Sequence, residues 1–398
     1  MSQMNRRRAL QLLAALGTTG LAAGCGADDD TGTASTPGSP IKIGLVAPQS
    51  GAYKAIGDEI LNGFQLFLTL NNQQLGRHPV TLLTADEGDS AKSGKAAVDR
   101  LLSEGVLALT GVVGSAVMTG IRDTVEQARV PLIGSNASPT SLQSVVYIWR
   151  TSYVLDEPGR ALGEYLRQQL PTGGRIGIIA PQGLGSRDVV EGFRRGFGAT
   201  DPRLAGAPIW TTDAPNPSRT AYARDIQTLL NRDPSGVFCY FAGPAAVEFL
   251  KQLYQAGYRG RIFAPGFLTE GTVLDDVKPP EVARVETALN YSADLNNTAN
   301  RVFAAAYRKT FNVSPTTYAM ASYDAAQVLD KAIRLAGASP TAQQVNLAMG
   351  KIGQIDSPRG PWQFNQPRTP QQKWYLRRVE PDGQLLSNVL VTELSTQG

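Results

Sequence analysis

The residues best placed for chemistry lie in the stretch Leu109–Gly120, LTGVVGSAVMTG. There an apolar run meets glycines at 111, 114 and 120, and Ser115 stands where a helix would begin. Such a turn suits three tasks: cradling a phosphate, activating a serine, or holding another anion on the free amides of a helix N-terminus. A phosphate loop needs G-x-x-x-x-G-K-[ST]. The nearest stretch, DSAKSGKAA, has Asp89 at the first glycine position and Ala96 where the magnesium-binding hydroxyl belongs. The glycines do not give the dinucleotide spacing G-x-G-x-x-G, and neither Ser115 nor Ser186 sits in the G-x-S-x-G frame of a hydrolase nucleophile. His78 is the only histidine, so a Ser-His-Asp set or a histidine-bearing metal site would rest on it alone. Ahead of Pro79 at a strand start, it reads as a surface turn residue. The chain therefore does not read as an enzyme, and no cofactor is expected, although 34 acidic residues leave carboxylate-only chemistry open. The anion seat is left standing, beside the plainer alternative that Ser115 merely caps a helix.

Positioning such a turn takes a scaffold, and the chain supplies a regular one. IKIGLVAP precedes a helical pattern over about 56–71, VTLLTAD one over about 91–102, and VLALTGVV one over Val117–Ala128, with VPLIG next. RIGIIAP, GVFCYF and RIFAP resume the strand series after about Asp156. Strands alternating with amphipathic helices predict an α/β fold with parallel central sheets. KIGLVAPQSG at Lys42 and RIGIIAPQGLG at Arg175 share I-G-x-x-A-P-Q, which suggests that each opens a similar Rossmann-like lobe. Sheets of this kind bind ligands at the carboxyl ends of their strands, so both A-P-Q turns are expected at faces that meet across a cleft.

The N-terminus reads as an export signal over residues 1–24. Arg6-Arg7-Arg8 leads into a short apolar stretch and then small residues ending LAAGC at Cys25. LAAGC resembles a lipobox, which would lipidate Cys25, and NRRRALQ resembles a twin-arginine signal; a plain signal peptide with an unmodified Cys25 is the alternative. Residues 25–40, rich in Gly, Asp, Ser, Thr and Pro, have almost nothing to bury and read as a flexible tether. The expected location is the periplasmic or cell-surface side, held to the membrane by the lipid alone. The 38 Lys+Arg exceed the 34 Asp+Glu by four, and three of the basic residues fall in the signal, so the remaining excess is one. With no basic stripe interleaved with aromatics, a nucleic-acid partner is not expected. Cys239, inside GVFCYF, reads as a small buried hydrophobe.

Five segments in order carry a resemblance that spans nearly the whole chain after the tether. They are IKIGLVAPQSGAYKAIGDEILNGFQL, DEGDSAKSGKAAVDRLLSEGVLALTGVVGS, VPLIGSNASPTSL, TTYAMASYDAAQVLDKAI and DSPRGPWQF. Together they resemble the type I periplasmic solute-binding proteins, in particular the leucine/isoleucine/valine-binding family of ABC importers. The resemblance implies two lobes joined by a three-crossover hinge: 41–152 with 289–368, and 153–288 with 369–398. It also implies ABC permease subunits as partners. In that family the loops after the third and fourth strands hold the ligand's carboxylate. By position Ser115 and Ser138 would do so here, with Asn136 and Ala137 of the same loop lining the site and the Asn136 carbonyl facing the ligand's ammonium. A helix N-terminus suits that role, since its unpaired amides favour an anion without a basic side chain. Gly114 lets the backbone come close.

The departures from the family pattern bear on ligand identity. Ile56 and Leu184 stand where amino-acid binders place aromatics, as do Ala242 and Gly243. The acidic partner of the ligand's ammonium falls at Gly266, with Glu270 four residues on as a substitute. The resemblance thus implies a small carboxylate-bearing ligand, a branched-chain amino acid or a related acid, captured by hinge closure near Thr151, Leu289 and Thr369. The alternative is a ligand-sensing module of the same architecture that signals to a protein partner.

Overall fold

The computed structural model describes residues 38–142 and 144–398. The export signal, Cys25 and most of the tether lie outside the described residues.

The first sheet is built from an alternating run: β1 (Ile41–Ala47), α1 (Lys54–Leu70), β2 (Gln74–Leu75), β3 (His78–Asp86), α2 (Ala91–Ser103), β4 (Ala108–Gly111), α3 (Ser115–Ala128), β5 (Leu132–Gly134) and β6 (Ile148–Arg150). Its order is β2-β3-β1-β4-β5-β6, parallel except for β2. β4 throughout, and β1 from Ile43 onward, are buried, which explains their mainly apolar character: a parallel sheet covered on both faces has no solvent side to alternate with.

The second series runs α4 (Glu157–Gln169), β7 (Ile176–Pro181), α5 (Leu184–Phe197), β8 (Ile209–Thr211), α6 (Ala223–Leu230), β9 (Gly236–Cys239), α7 (Gly243–Gln255), β10 (Arg261–Pro265), α8 (Pro279–Val282) and β11 (Val285–Leu289). Three helices follow, α9 (Thr298–Phe311), α10 (Thr317–Ala336) and α11 (Ala342–Met349). The chain closes with β12 (Gln363–Phe364), β13 (Pro370–Asp382) and β14 (Leu385–Gln397). The eight-stranded sheet has the order β12-β13-β11-β10-β9-β7-β8, with β14 paired to β13. β7 to β11 run parallel, and the late strands join antiparallel. This is the expected α/β architecture with two largely parallel sheets.

Two features hold the second sheet's helices and the crossing segments. α4 and α5 pack backbone on backbone: a Cβ on Gly159 would stand 2.1 Å from the Val189 carbonyl, and one on Gly192 2.0 Å from that of Asp156. Where the chain crosses between sheets, a buried polar knot gathers the strands. Arg359 donates to the carbonyls of Thr151 and Ser152, to Gln372 and to Asp324, and Asn290 donates to Gln372. A guanidinium so deep is tolerable because its partners are charged or carbonyl acceptors in hydrogen-bonding geometry.

One expectation is corrected. His78 is not a surface turn residue: it opens β3 and is 2% exposed, with its ring against the Ser39 carbonyl at 2.8 Å. The segment entering β1 lies over it, and a histidine with a carbonyl partner can be buried where a bare polar ring could not. Cys239 is buried as a small apolar residue, and burial pushes its thiol well above the usual range.

Candidate functional site

The carboxyl ends of strands from both sheets converge on a cavity of about 320 Å³. That volume sits at the small end of ligand pockets, which span roughly 300–1,000 Å³. Pro48 after β1, Val113 to Val117 after β4 and Asn136 after β5 face Pro181 at the end of β7, Gly183 to Ser186 beyond it, Asp213 after β8, and Tyr240 to Ala242 after β9. Both A-P-Q turns reach it through their prolines. The two sides are also joined directly, where Thr140 donates from its amide and hydroxyl to Asp188 of α5 at 2.9 and 2.6 Å.

Four helices whose starts line this cavity have no side-chain cap. α1, α3, α5 and α7 begin on Tyr53, Gly114, Gly183 and Ala242, none of which bonds its helix through the side chain. α2 and α10, which also reach it near Asp89 and Tyr318, are capped by Ser90 and Thr316, as α9 and α11 are by Asn297 and Thr341. An uncapped first turn leaves amides to be satisfied by water or by a ligand, and the positive end of the helix dipole favours an anion. At α3 the arrangement is more specific. The amides of Val113 and Gly114, just before the helix, donate to the Glu87 carboxylate at 2.7 and 2.6 Å. Burial is the larger influence on Glu87 and lifts its pKa to about 7 despite those bonds. The amides of the first turn proper, Ser115 to Val117, take no part in those bonds, and the Ser115 hydroxyl stands beside them.

Of the residues expected from sequence, Ser115, Asn136, Ile56, Leu184 and Ala242 line the cavity, and the Asn136 amide donates to the Val113 carbonyl at 3.0 Å. Ala137 and Ser138 do not line it. The Ala137 amide is engaged by the Val112 carbonyl at 2.9 Å, and the Ser138 hydroxyl is buried beneath, without a hydrogen-bond partner among the described residues. Gly266 also lies behind the wall, packed so that a Cβ would meet Leu289 and Arg377. Glu270 is withdrawn altogether. Its carboxylate takes Arg377 at 2.6 Å and the Thr317 amide at 2.9 Å, all buried, so it has no capacity for a ligand's ammonium. An arginine buried at that depth requires a carboxylate, and Glu270 is that partner.

Sequence reasoning missed Glu87, Asp213 and the tyrosines at 53, 222, 240 and 318, all of which line the cavity. Asp213 follows a three-residue strand too short to show periodicity, though TTD after the apolar pair Ile209-Trp210 was a usable signal. No Lys, Arg or His is among the described lining residues.

Comparison with known proteins matches this architecture. The profile of a family described as periplasmic binding protein matches residues 40–384. The Leu/Ile/Val-binding protein homolog 6 of Brucella melitensis is 24% identical over 354 residues, covering 85% of this chain and 87% of its own. A solute binding protein of an ABC transporter from R. palustris, solved with benzoate, superposes with a TM-score of 0.80 at 24% identity, covering 90% of this chain and 97% of its own. A leucine binding protein from Thermotoga maritima gives 0.79 at 17% identity, with coverage of 89% and 99%. The chain belongs to the periplasmic binding protein family, and the proteins it is similar to are Leu/Ile/Val-binding and other solute-binding proteins.

Proposed function

We propose that the chain is the solute-capturing subunit of an ABC uptake transporter and takes a small carboxylate between two lobes, 41–152 with 289–368 and 153–288 with 369–398. The observation that carries this is the uncapped first turn of α3, with the Ser115 hydroxyl, opening into a cavity walled by Ile56, Leu184 and Ala242. Hydrogen bonds from amides and a hydroxyl to a carboxylate are of the charge-assisted, stronger kind, and apolar walls select the remainder of the solute. The crossing segments near Thr151, Leu289 and Thr369 would absorb the rotation of closure, and the buried knot around Arg359 would keep them in register. The solute stabilises the closed form through contacts made in that form alone.

The relatives named above support a solute of this size and charge: one was solved with benzoate, another is a leucine binding protein. The chain would be exported and anchored through lipidated Cys25, on the periplasmic or outer side of a membrane. Mass spectrometry of the mature N-terminus tests the anchor. Thermal-shift screening of the purified protein against amino acids and small organic acids tests capture, with a saturable rise in melting temperature expected for at least one carboxylate. Absence of any such rise, with calorimetry also silent, would remove this reading.

A further inference from the structure

The solute cavity has no basic side chain among its described lining residues, but a second cavity has three. It lies where the chain leaves β6 for α4 and where it enters β13, and measures about 790 Å³. Arg150, Arg195 and Arg368 line it, with Asp156 and Glu191. The charges do not balance. Asp156 takes Arg195 at 2.7 Å, and the exposed Glu191 has Arg194 at 3.5 Å. Arg150 and Arg368 make no ion pair among the described residues; their bonds go to carbonyls. Glu157 is the acidic group whose charge acts on Arg150. Burial, and then the Asp156 charge, lifts the pKa of Glu157 to about 8, so at neutral pH it is mostly protonated and does not neutralise the pair.

The two guanidinium groups are held together rather than apart. The Arg150 amide donates to the Arg368 carbonyl at 3.1 Å, and the Arg150 side chain donates to the carbonyls of Leu142 and Pro367. Arg368 donates to the Val145 carbonyl and lies over the Trp149 ring at 5.0 Å. Arg150 is 2% exposed; burial, and then the Arg368 charge, pushes its pKa down to about 10, which still leaves it charged at neutral pH. In both residues Nε is buried without a hydrogen-bond partner among the described residues. Carbonyls accept hydrogen bonds but do not cancel charge, and a buried guanidinium without a carboxylate is costly. Two orphan Nε donors beside one cavity mark groups met by something outside the chain. Nε and the adjoining Nη form the edge with which arginine grips an oxyanion through parallel bonds. A carboxylate has oxygens for one such edge, whereas a tetrahedral dianion has enough for both.

We propose that Arg150 and Arg368 form a second anion site, outside the solute cavity, for a tetrahedral oxyanion of the phosphate or sulfate type. The anion neutralises the pair and ties the segment entering β13 to the end of β6. The site stands apart from carboxylate capture and does not depend on it.

The test is titration calorimetry of the purified chain, without solute and at fixed ionic strength, using phosphate, sulfate, glycerol 3-phosphate and acetate. Phosphate or sulfate should bind saturably with a Kd of about 1 mM or tighter, and acetate about tenfold or more weakly than either. Arg368→Gln should weaken the bound oxyanion about tenfold or more. Arg150→Lys, which keeps the charge but loses the fork, should do the same. If Arg150→Lys fails to fold, Arg368→Gln at the half-buried partner decides alone. Ser115→Ala should leave phosphate binding within about threefold. Glycerol 3-phosphate binding as tightly as phosphate identifies an ester-borne group as the occupant, and much weaker binding identifies the free ion. The site is refuted if neither phosphate nor sulfate binds wild type, or if binding survives Arg368→Gln. It is equally refuted if phosphate binding is lost in Ser115→Ala, which would put the anion in the solute cavity. Carboxylate capture, read with organic acids, is untouched by any of these results.

Discussion

The two A-P-Q turns begin alike and end differently. After β1, six residues separate Ala47 from α1. That loop is pinned by Asp86, which takes the Gln49 amide at 2.9 Å and the Ser50 hydroxyl at 2.7 Å, and it carries Tyr53 across to within 3.5 Å of where Gly243 would bear a Cβ. After β7, only Gln182 and Gly183 intervene before α5, and the Gln182 amide is tied to the Thr211 carbonyl. There the chain projects nothing large. A Cβ on Gly185 would stand 3.2 Å from the Ser115 hydroxyl, 3.3 Å from Leu155 Cδ1 and 3.5 Å from the Tyr240 hydroxyl. The same strand end thus serves opposite purposes: one turn supplies a side chain to the cleft and the other supplies room. Loop length and glycine placement, not the shared strand motif, decide which.

The contrast breaks most readily at Gly185. Gly185→Val puts two methyl groups where Ser115, Leu155 and Tyr240 already crowd. Overpacking of this kind costs about 1–3 kcal/mol, so solute affinity should fall up to roughly 100-fold by calorimetry. An unchanged affinity would show that the short turn does not need its empty space. Ser115→Ala tests the facing side. Losing one hydrogen bond to a charged group, worth about 1.5–3 kcal/mol at most, should weaken a carboxylate solute by about tenfold while leaving the unliganded protein equally stable.

The smallest effect compares the two sides through protonation. Glu87, on the first side, is raised to about 7 chiefly by burial. Glu157, at the start of α4, is raised to about 8 chiefly by burial and then by the Asp156 charge. In the unfolded chain both titrate near the ordinary carboxylate value of 4.5. The folded form therefore holds these protons more tightly, and stability is fullest below about 4.5 and falls as pH rises toward 7 and then 8. Melting temperatures measured from pH 5 to 8 should decline, and Glu157→Gln should flatten the upper part of that decline. A rise with pH across that range would contradict the burial of both groups.

Much of the fold was legible because parallel strands buried on both faces are mainly apolar runs, as β4, β7 and β9 are, and as β1 and β10 are beyond Lys42 and Arg261. The first turn of α3 was legible for the same reason: glycines follow a strand and Ser115 follows the glycines. β8 was not, since three residues carry no period, and Asp213 went unread with it. Glu270 was misjudged because sequence does not reveal that Arg377, 107 positions away, would take its carboxylate. Tyr222 and Tyr240 were hidden for a related reason: aromatic residues beside apolar runs read as core, and only the folded arrangement turns them toward the cavity.

The seclusion of Cys239 has a practical outcome. Its thiol is buried and held protonated, so alkylating reagents and maleimide dyes should pass it by in the native protein. In a form lacking residues 1–25, a single cysteine engineered where the two sides join would be the sole labelling point, with no need to remove a native thiol. A fluorophore placed there, opposite Thr140, would turn the approach of the two walls into an optical signal.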